Sequence, residues 1–173
     1  CPLFYTCVML YFDGITTPIG RLHIVASDEA ILRIYFPGEK ITEHVERAPK
    51  HEIIALAKIQ LAEYFAGERR KFDLPLALLG TEFQIRVWKT IAKIPYGKTI
   101  TYADEAKKLR KPDAVRAVGT ANGKNPIPII IPCHRIVPKG GGFGGYSGGV
   151  NRKKLLLKLE QHYSVKERAK GKK

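Results

Sequence analysis

The sequence is poor in sulfur and in long apolar runs. In 173 residues there are three cysteines, one methionine and one tryptophan. Cys1, Cys7 and Cys133 form no C-x-x-C pair and no regular ladder, which excludes a disulfide scaffold and fits a reducing compartment. A zinc set of Cys1, Cys7 and His23 matches no common ligand spacing, so no metal is expected. No apolar stretch reaches membrane-spanning length and no charged–apolar–small leader opens the chain. A cytoplasmic protein without a membrane partner is the expectation. The chain opens on Cys1 rather than Met, and its natural start is expected upstream. Asn, Gln, Cys and Met are sparse beside Lys, Arg and Glu, a composition resembling that of thermophiles; a prokaryotic, thermophilic source is the expectation.

Acidic residues are scarce in one half only. Residues 1–80 hold nine Lys/Arg against ten Asp/Glu, whereas residues 81–173 hold 21 against six. A basic half joined to a neutral half points to a polyanionic partner, most simply nucleic acid.

The first half reads as strands followed by a helix. Residues 3–12, 20–27 and 31–36 read as three strands of an antiparallel meander, with a turn at Asp28-Glu29-Ala30 and a stop at Pro37-Gly38. An amphipathic helix follows over 50–66, with Ile53, Ile54, Leu56, Ala57, Leu61 and Phe65 on its apolar face and Gly67 as its stop. His23, His44 and His51 are isolated, and no chemistry is visible here. Pro75 and Gly80 mark a linker.

The second half is built of short helices. Thr81 to Gln84 fits a capping box, opening a helix through Val87 and Trp88 to Ile94. After a turn at Pro95-Tyr96-Gly97, Thr101 caps a helix over 102–109, with Asp104 and Glu105 placed in its first turn to complement the macrodipole. Lys111-Pro112 breaks it, and Asp113 is the expected cap of a helix over 114–122. Two short helices joined by a tight turn in a basic region make a helix-turn-helix candidate. Arg116, Gly119, Thr120 and Gly123 share one face of the second; Val115, Val118 and Ala121 or Asn122 share another. One arginine among small residues suits close approach to a narrow groove, with the cation as a wedge.

Cys133 sits in Ile127-Pro128-Ile129-Ile130-Ile131-Pro132-Cys133-His134-Arg135. Its prolines predict a stiff, extended, buried strip. Neighbours in an extended strip face opposite ways, so Cys133 and His134 are not expected to touch. Free cysteine is commonly a buried filler, but a reactive thiolate needs an adjacent base or cation, and this one has both. The run from Lys139 to Gly149 lacks the ending of a phosphate loop, and its glycines let backbone approach a flat ligand. A last helix over 151–161 packs through Leu155, Leu156, Leu157 and Leu159. Glu160 lies near its end, where a carboxylate is disfavoured unless it has a partner such as a protonated His. Residues 166–173 read as a basic, unstructured tail.

Pro132-Cys133-His134-Arg135, preceded by Asn125-Pro126-Ile127-Pro128 and followed by Tyr146-Ser147-Gly148-Gly149, resembles the O6-alkylguanine-DNA alkyltransferases. Arg116-Ala117-Val118-Gly119 is similar to that family's recognition helix, and Thr101-Tyr102 to the start of the helix before it. The likeness is close over 81–161 and weak over 1–80. It implies an α+β fold: an N-terminal, ribonuclease-H-like domain (1–79) with a small three-stranded antiparallel sheet and a helix, then a mostly helical, winged-helix-like DNA-binding domain (80–165). It implies that Cys133 is the alkyl acceptor and His134 its base, acting through a water and polarised by Glu160. Tyr102 supports the leaving guanine, Asn125 braces helix against strip, and Arg116 fills the gap left by a flipped nucleotide. Ala117, Gly119, Thr101 and Arg135 fall among the DNA-binding positions, and Tyr146, Ser147, Gly148 and Lys153 around the flipped base. The implied partner is double-stranded DNA carrying O6-alkylguanine, with O4-alkylthymine left open; no cofactor is implied, and the protein is expected to be a monomer. Two other readings remain: a non-catalytic module that recognises alkylated DNA, and a cysteine hydrolase.

Overall fold

The protein is described here by a computed structural model, which covers the backbone of residues 8–170 and the side chains of residues 8–165. It is an α+β fold with a sheet at the N-terminal end and helices beyond it. Strands β1 (Tyr11–Thr17) and β2 (Gly20–Ala26) form a hairpin closed by Pro18-Ile19. Gly20 takes φ +105° there, and Thr17 Oγ1 donates to its carbonyl at 2.7 Å. β3 (Ile31–Tyr35) pairs antiparallel with β2, as the meander predicts.

Three expectations for this half change. The first strand begins at Tyr11 rather than residue 3: its pairing with β2 carries it through Gly14 to the turn, residues 8–10 precede the strand with Leu10 O accepting from Glu46 N, and 3–7 lie outside the described residues. The sheet has four strands, because the two-residue β4 (Glu46–Arg47) adds parallel to β1. On α1 (Glu52–Ala66), Leu56 is exposed, while Gln60 and Tyr64 are buried. Gln60 is buried because its amide pairs with the backbone of Asp73, pinning the linker to the helix. Gly67 in the left-handed region stops α1 as predicted.

The linker continues along β3, where Ile31 N donates to Pro75 O and Ala77 N to Ile31 O. α2 (Glu82–Ile91) opens on the predicted capping box but ends one turn early, with Ile94 in the turn beyond it. α3 (Tyr102–Lys108) also carries a capping box, from Thr101 and Asp104. α4 (Val115–Gly123) is preceded by a 3₁₀ turn over Pro112–Ala114, so Asp113 does not cap it. Its faces divide nearly as predicted: Val118, Ala121 and Asn122 are buried and Arg116 and Thr120 exposed, but Val115 joins the exposed side. β5 (Ile100–Thr101) and β6 (Ile136–Val137) form a short parallel pair. α5 (Val150–Lys170) exceeds the predicted 151–161, and Leu155 on it is exposed. No glycine or proline follows Val150 before Gly171, so nothing in the sequence stops it; the expected unstructured tail is helical through Lys170, and 171–173 lie outside the described residues.

One apolar cluster runs from Leu22 and Ile24 through Leu61 and Trp88 to Val118, Ile127 and Leu156. Further ties bind the sheet to the later half. Ile34 N donates to Pro126 O. Arg152 on α5 donates to the carbonyls of Ile19, Pro37 and Gly148. Among the described residues, no helix is long and apolar enough to cross a membrane.

Candidate active site

The strip carrying Cys133 is buried but not extended. Ile131 N reaches back to Ile127 O at 2.9 Å, and Ile129 takes φ +76°, a strained conformation for a β-branched residue. Cys133–Arg135 then forms a 3₁₀ turn closed by Arg135 N on Pro132 O. The prolines punctuate the segment as expected, but local backbone bonds fold it into turns that set the thiol against Asn125 and bring the imidazole and guanidinium onto Glu160.

Asn125, just past α4, holds these turns. Its Nδ2 donates to Ile131 O at 2.8 Å and to Cys133 Sγ at 3.1 Å, and its Oδ1 accepts from Ile127 N at 3.0 Å. All of its donor and acceptor types are engaged, so the amide orientation is fixed. The thiol is 4% exposed. Burial pushes its pKa up; the Asn125 hydrogen bond, the Lys153 charge and the nearby Tyr146 hydroxyl act in the opposite direction. Lys153 is itself fully buried, with Nζ 2.6 Å from Ile136 O. Burial depresses its pKa, and the charge of Cys133 opposes that.

His134 is fully buried. Its Nε2 lies 2.8 Å from Glu160 Oε1, and Nδ1 has no hydrogen-bond partner among the described residues. Burial lowers its pKa against the pull of Glu160. A neutral ring facing a carboxylate carries its proton on Nε2, which leaves the Nδ1 lone pair as the base.

Glu160 receives more donors than the sequence suggests. Oε1 accepts from Tyr64 Oη at 2.8 Å, from His134 and from Arg135 Nη2 at 2.9 Å; Oε2 accepts from Gly97 N at 2.9 Å and Arg135 Nε at 3.0 Å. Burial alone would raise its pKa, but His134 and Arg135 outweigh burial and hold it at about 2. This corrects the expectation for Arg135. Expected among the DNA-binding positions, it is 5% exposed, chelates Glu160 and donates to Ile94 O at 2.6 Å. Its charge is spent inside the protein.

A cavity of about 350 Å³ opens at the thiol. Tyr102, Gly119, Asn122 and Gly123 come to it from α3 and α4, and Gly145, Tyr146 and Ser147 from the glycine-rich loop. Tyr102 and Gly119 also line an adjoining open groove with Asp113, Val115, Arg116 and Thr120. The exposed face of α4 therefore leads into the cavity. Burial raises the pKa of Tyr102, with the charges of Cys133 and Glu105 adding to it, so its phenol stays protonated. Gly148 is required by packing: a Cβ there would lie 2.6 Å from Phe36 Cε2. Thr101 contributes by capping α3 through Asp104, and Ala117 lies on the exposed face of α4. Lys153, expected around the base, is not among the cavity's lining residues and acts on Cys133 by charge.

Sequence reasoning missed Tyr64, Gly97 and the pairing of Glu105 with Asn122. Glu105, read as a partner of the helix dipole, is fully buried, with Oε2 accepting from Asn122 Nδ2 at 2.7 Å. Its place on the inner face of α3, beside Ala106, was the available signal. Of the Cys1, Cys7 and His23 set, only His23 lies within the described residues.

The chain is similar to known proteins along both of its halves. The family profile described as 6-O-methylguanine DNA methyltransferase, DNA binding domain, matches residues 82–162, and that of its ribonuclease-like domain matches residues 10–78. The constitutive methylated-DNA–protein-cysteine methyltransferase of Bacillus subtilis (strain 168) is 41% identical over 165 residues, covering 92% of this chain and 100% of that protein. The methylated-DNA–protein-cysteine methyltransferase of Methanosarcina barkeri is 42% identical over 155 residues, covering 88% and 98%. The crystal structure of Mycobacterium tuberculosis OGT in complex with DNA superposes with a TM-score of 0.84 at 42% identity, covering 88% of this chain and 94% of that one. With this identity across both of its halves, the chain belongs to the 6-O-methylguanine DNA methyltransferase family.

Proposed function

We propose that this protein repairs DNA by direct reversal, moving the alkyl group of an O6-alkylguanine irreversibly onto Cys133. The observation that carries the reading is the continuity of the α4 groove, with Arg116 on it, into a cavity bearing the thiol. The target atom lies inside the duplex, so the nucleotide must swing out to be reached. Arg116 then occupies the gap, and the small residues of α4 permit close approach to the groove.

In the chemical step His134 Nδ1 takes the Cys133 proton through a water, and Glu160 stabilises the imidazolium. The thiolate attacks the alkyl carbon; the S–C bond forms as the C–O6 bond breaks. The electron pair leaves with the purine, which takes a proton from the Tyr102 hydroxyl. Lys153 and Asn125 stabilise the thiolate that the buried site otherwise disfavours. Tyr146 and Ser147 form the wall against the base, and Gly148, which does not line the cavity, lets the loop pack on Phe36 behind them. The product is a thioether, which has no hydrolytic exit, so each chain acts once and needs no cofactor. The protein works as a cytoplasmic monomer on double-stranded DNA, with residues 80–165 as the DNA-binding and acceptor domain.

The test is transfer of a labelled methyl group from O6-methylguanine duplex. Label is expected on the Cys133 peptide and absent in Cys133→Ala, which still binds DNA. Binding without label in the unaltered protein would favour a recognition module, and repeated turnover on esters or amides a hydrolase.

A further inference from the structure

The half of the chain without visible chemistry reaches into the relay. Tyr64 sits on α1, is fully buried, and places its hydroxyl on Glu160 Oε1, the same oxygen that faces His134 Nε2. The two residues are 96 positions apart. The ring is gripped by Phe65, Phe72 and Tyr96, with centroids 5.2, 5.5 and 5.9 Å away. Gly67 ends the helix one turn later. The hydroxyl is therefore delivered by a rigid element to one defined point.

A Phe would fill the same ring-shaped space, so packing does not require the oxygen. The carboxylate already has Arg135 and Gly97 as donors, so charge neutralisation does not require it either. Beside the Arg135 Nη2 on Oε1, the hydroxyl is the uncharged donor that shares this oxygen with the imidazole. Every donor on that oxygen draws electron density that would otherwise strengthen the His134 N–H bond to it. We propose that Tyr64 is a positioning residue of the thiol-activating relay, through which the N-terminal half sets how strongly Glu160 holds and polarises His134. This rests on the reading that His134 and Glu160 activate Cys133.

The titratable groups that face this relay come from several elements: Arg135 from the 3₁₀ turn, Tyr64 from α1, Lys153 from α5 and Tyr146 from the glycine-rich loop, with Tyr96, from the turn after α2, packing its ring on Tyr64 but making no hydrogen bond to Glu160. Burial, then the Glu160 charge, push the Tyr64 pKa well up, so it remains a donor throughout any working range. Removing it makes Oε1 a stronger acceptor and His134 more basic. The base is then lost to protonation at a higher pH.

The experiment measures single-turnover methyl transfer from O6-methylguanine duplex across pH for the unaltered protein, Tyr64→Phe and Tyr96→Phe. The Tyr96 hydroxyl has no hydrogen-bond partner among the described residues, so it is the matched control. Tyr64→Phe is expected to move the acid limb upward by about half a pH unit to one unit, slowing transfer about three- to tenfold on that limb. Tyr96→Phe is expected to leave the limb in place. Fluorinated tyrosine at position 64 is a stronger donor, and should move the limb the other way; it also serves if Tyr64→Phe folds poorly. An unmoved limb in both Tyr64 variants, with transfer intact, would overturn the role of Tyr64 alone. Absence of transfer in the unaltered protein would instead remove the reading beneath it.

Discussion

Glu160 and Glu105 are equally buried, with no accessible surface on either, yet they are held in different states. Glu160 accepts from Tyr64, Gly97, His134 and two Arg135 nitrogens, and its pKa falls to about 2. Glu105 accepts only from Asn122 among the described residues; burial raises its pKa to about 7 and that one bond does not offset it. Its Oε1 and the Asn122 Oδ1 both lack donors among the described residues. Burial imposes a similar penalty on both carboxylates, and the donors around each decide its charge. The ionised one belongs to the relay behind the nucleophile. The other lies under the helix that enters the cavity through Asn122.

Replacing each carboxylate by its amide breaks the comparison at either end. Glu160→Gln has the larger effect, because it leaves the Arg135 guanidinium buried without its anion. A loss of about 3–5 kcal/mol is expected by denaturant titration. Transfer to Cys133 should slow by about 10²–10⁴, as expected when a general base loses its support. The pH dependence sharpens the contrast. The folded pKa of Glu160 lies below the ordinary glutamate value of 4.5, so its contribution is present above that pH and is lost as pH falls toward about 2. An acid-unfolding component in this window should vanish in Glu160→Gln.

Glu105 has the opposite sign. Its folded pKa lies above the ordinary glutamate value of 4.5, so ionisation penalises the fold increasingly as pH rises from there to about 7. Glu105→Gln should therefore stabilise the protein at pH ~8 by about 1–3 kcal/mol. At pH ~4 it should change stability little. Urea titrations at the two pH values check this; equal effects at both would mean Glu105 is not the titrating group.

Arg116→Ala touches neither carboxylate and should have the smallest effect on the fold, within about 0.5 kcal/mol. It should weaken binding to lesion-bearing duplex and lower the salt slope by about one charge. Fluorescence anisotropy against salt separates this from a folding effect.

The parts legible in the sequence are those encoded within a few residues. The capping box at Thr81 and the N-cap at Thr101 form as predicted, and Gly67 ends α1; at Thr101 the structure adds the return bond from Asp104. The faces of α4 follow from its period, with only Val115 displaced. The strip at Cys133 shows where local rules compete: its prolines favour extended backbone, but i to i+4 and i to i+3 bonds at Ile131 and Arg135 win and place Ile129 at positive φ. Glu160 stands out in the sequence as a carboxylate near the end of a helix over 151–161, but α5 continues to Lys170 and puts it mid-helix; the partner exists because Glu160 is buried against His134 and Arg135. Tyr64 was illegible because its partner lies 96 positions away. Arg135 reads as a DNA-binding position in the sequence because a basic residue in a basic half gives no local sign of an internal partner such as Glu160. The two-residue β4 was too short to carry a pattern.

The most direct measurement titrates the protein with excess O6-methylguanine duplex and weighs the intact chain afterwards. Repair should level off at one lesion per chain, with a single methyl group on the peptide containing Cys133. Repair of many lesions per chain, or repaired DNA beside protein of unchanged mass, would contradict the account.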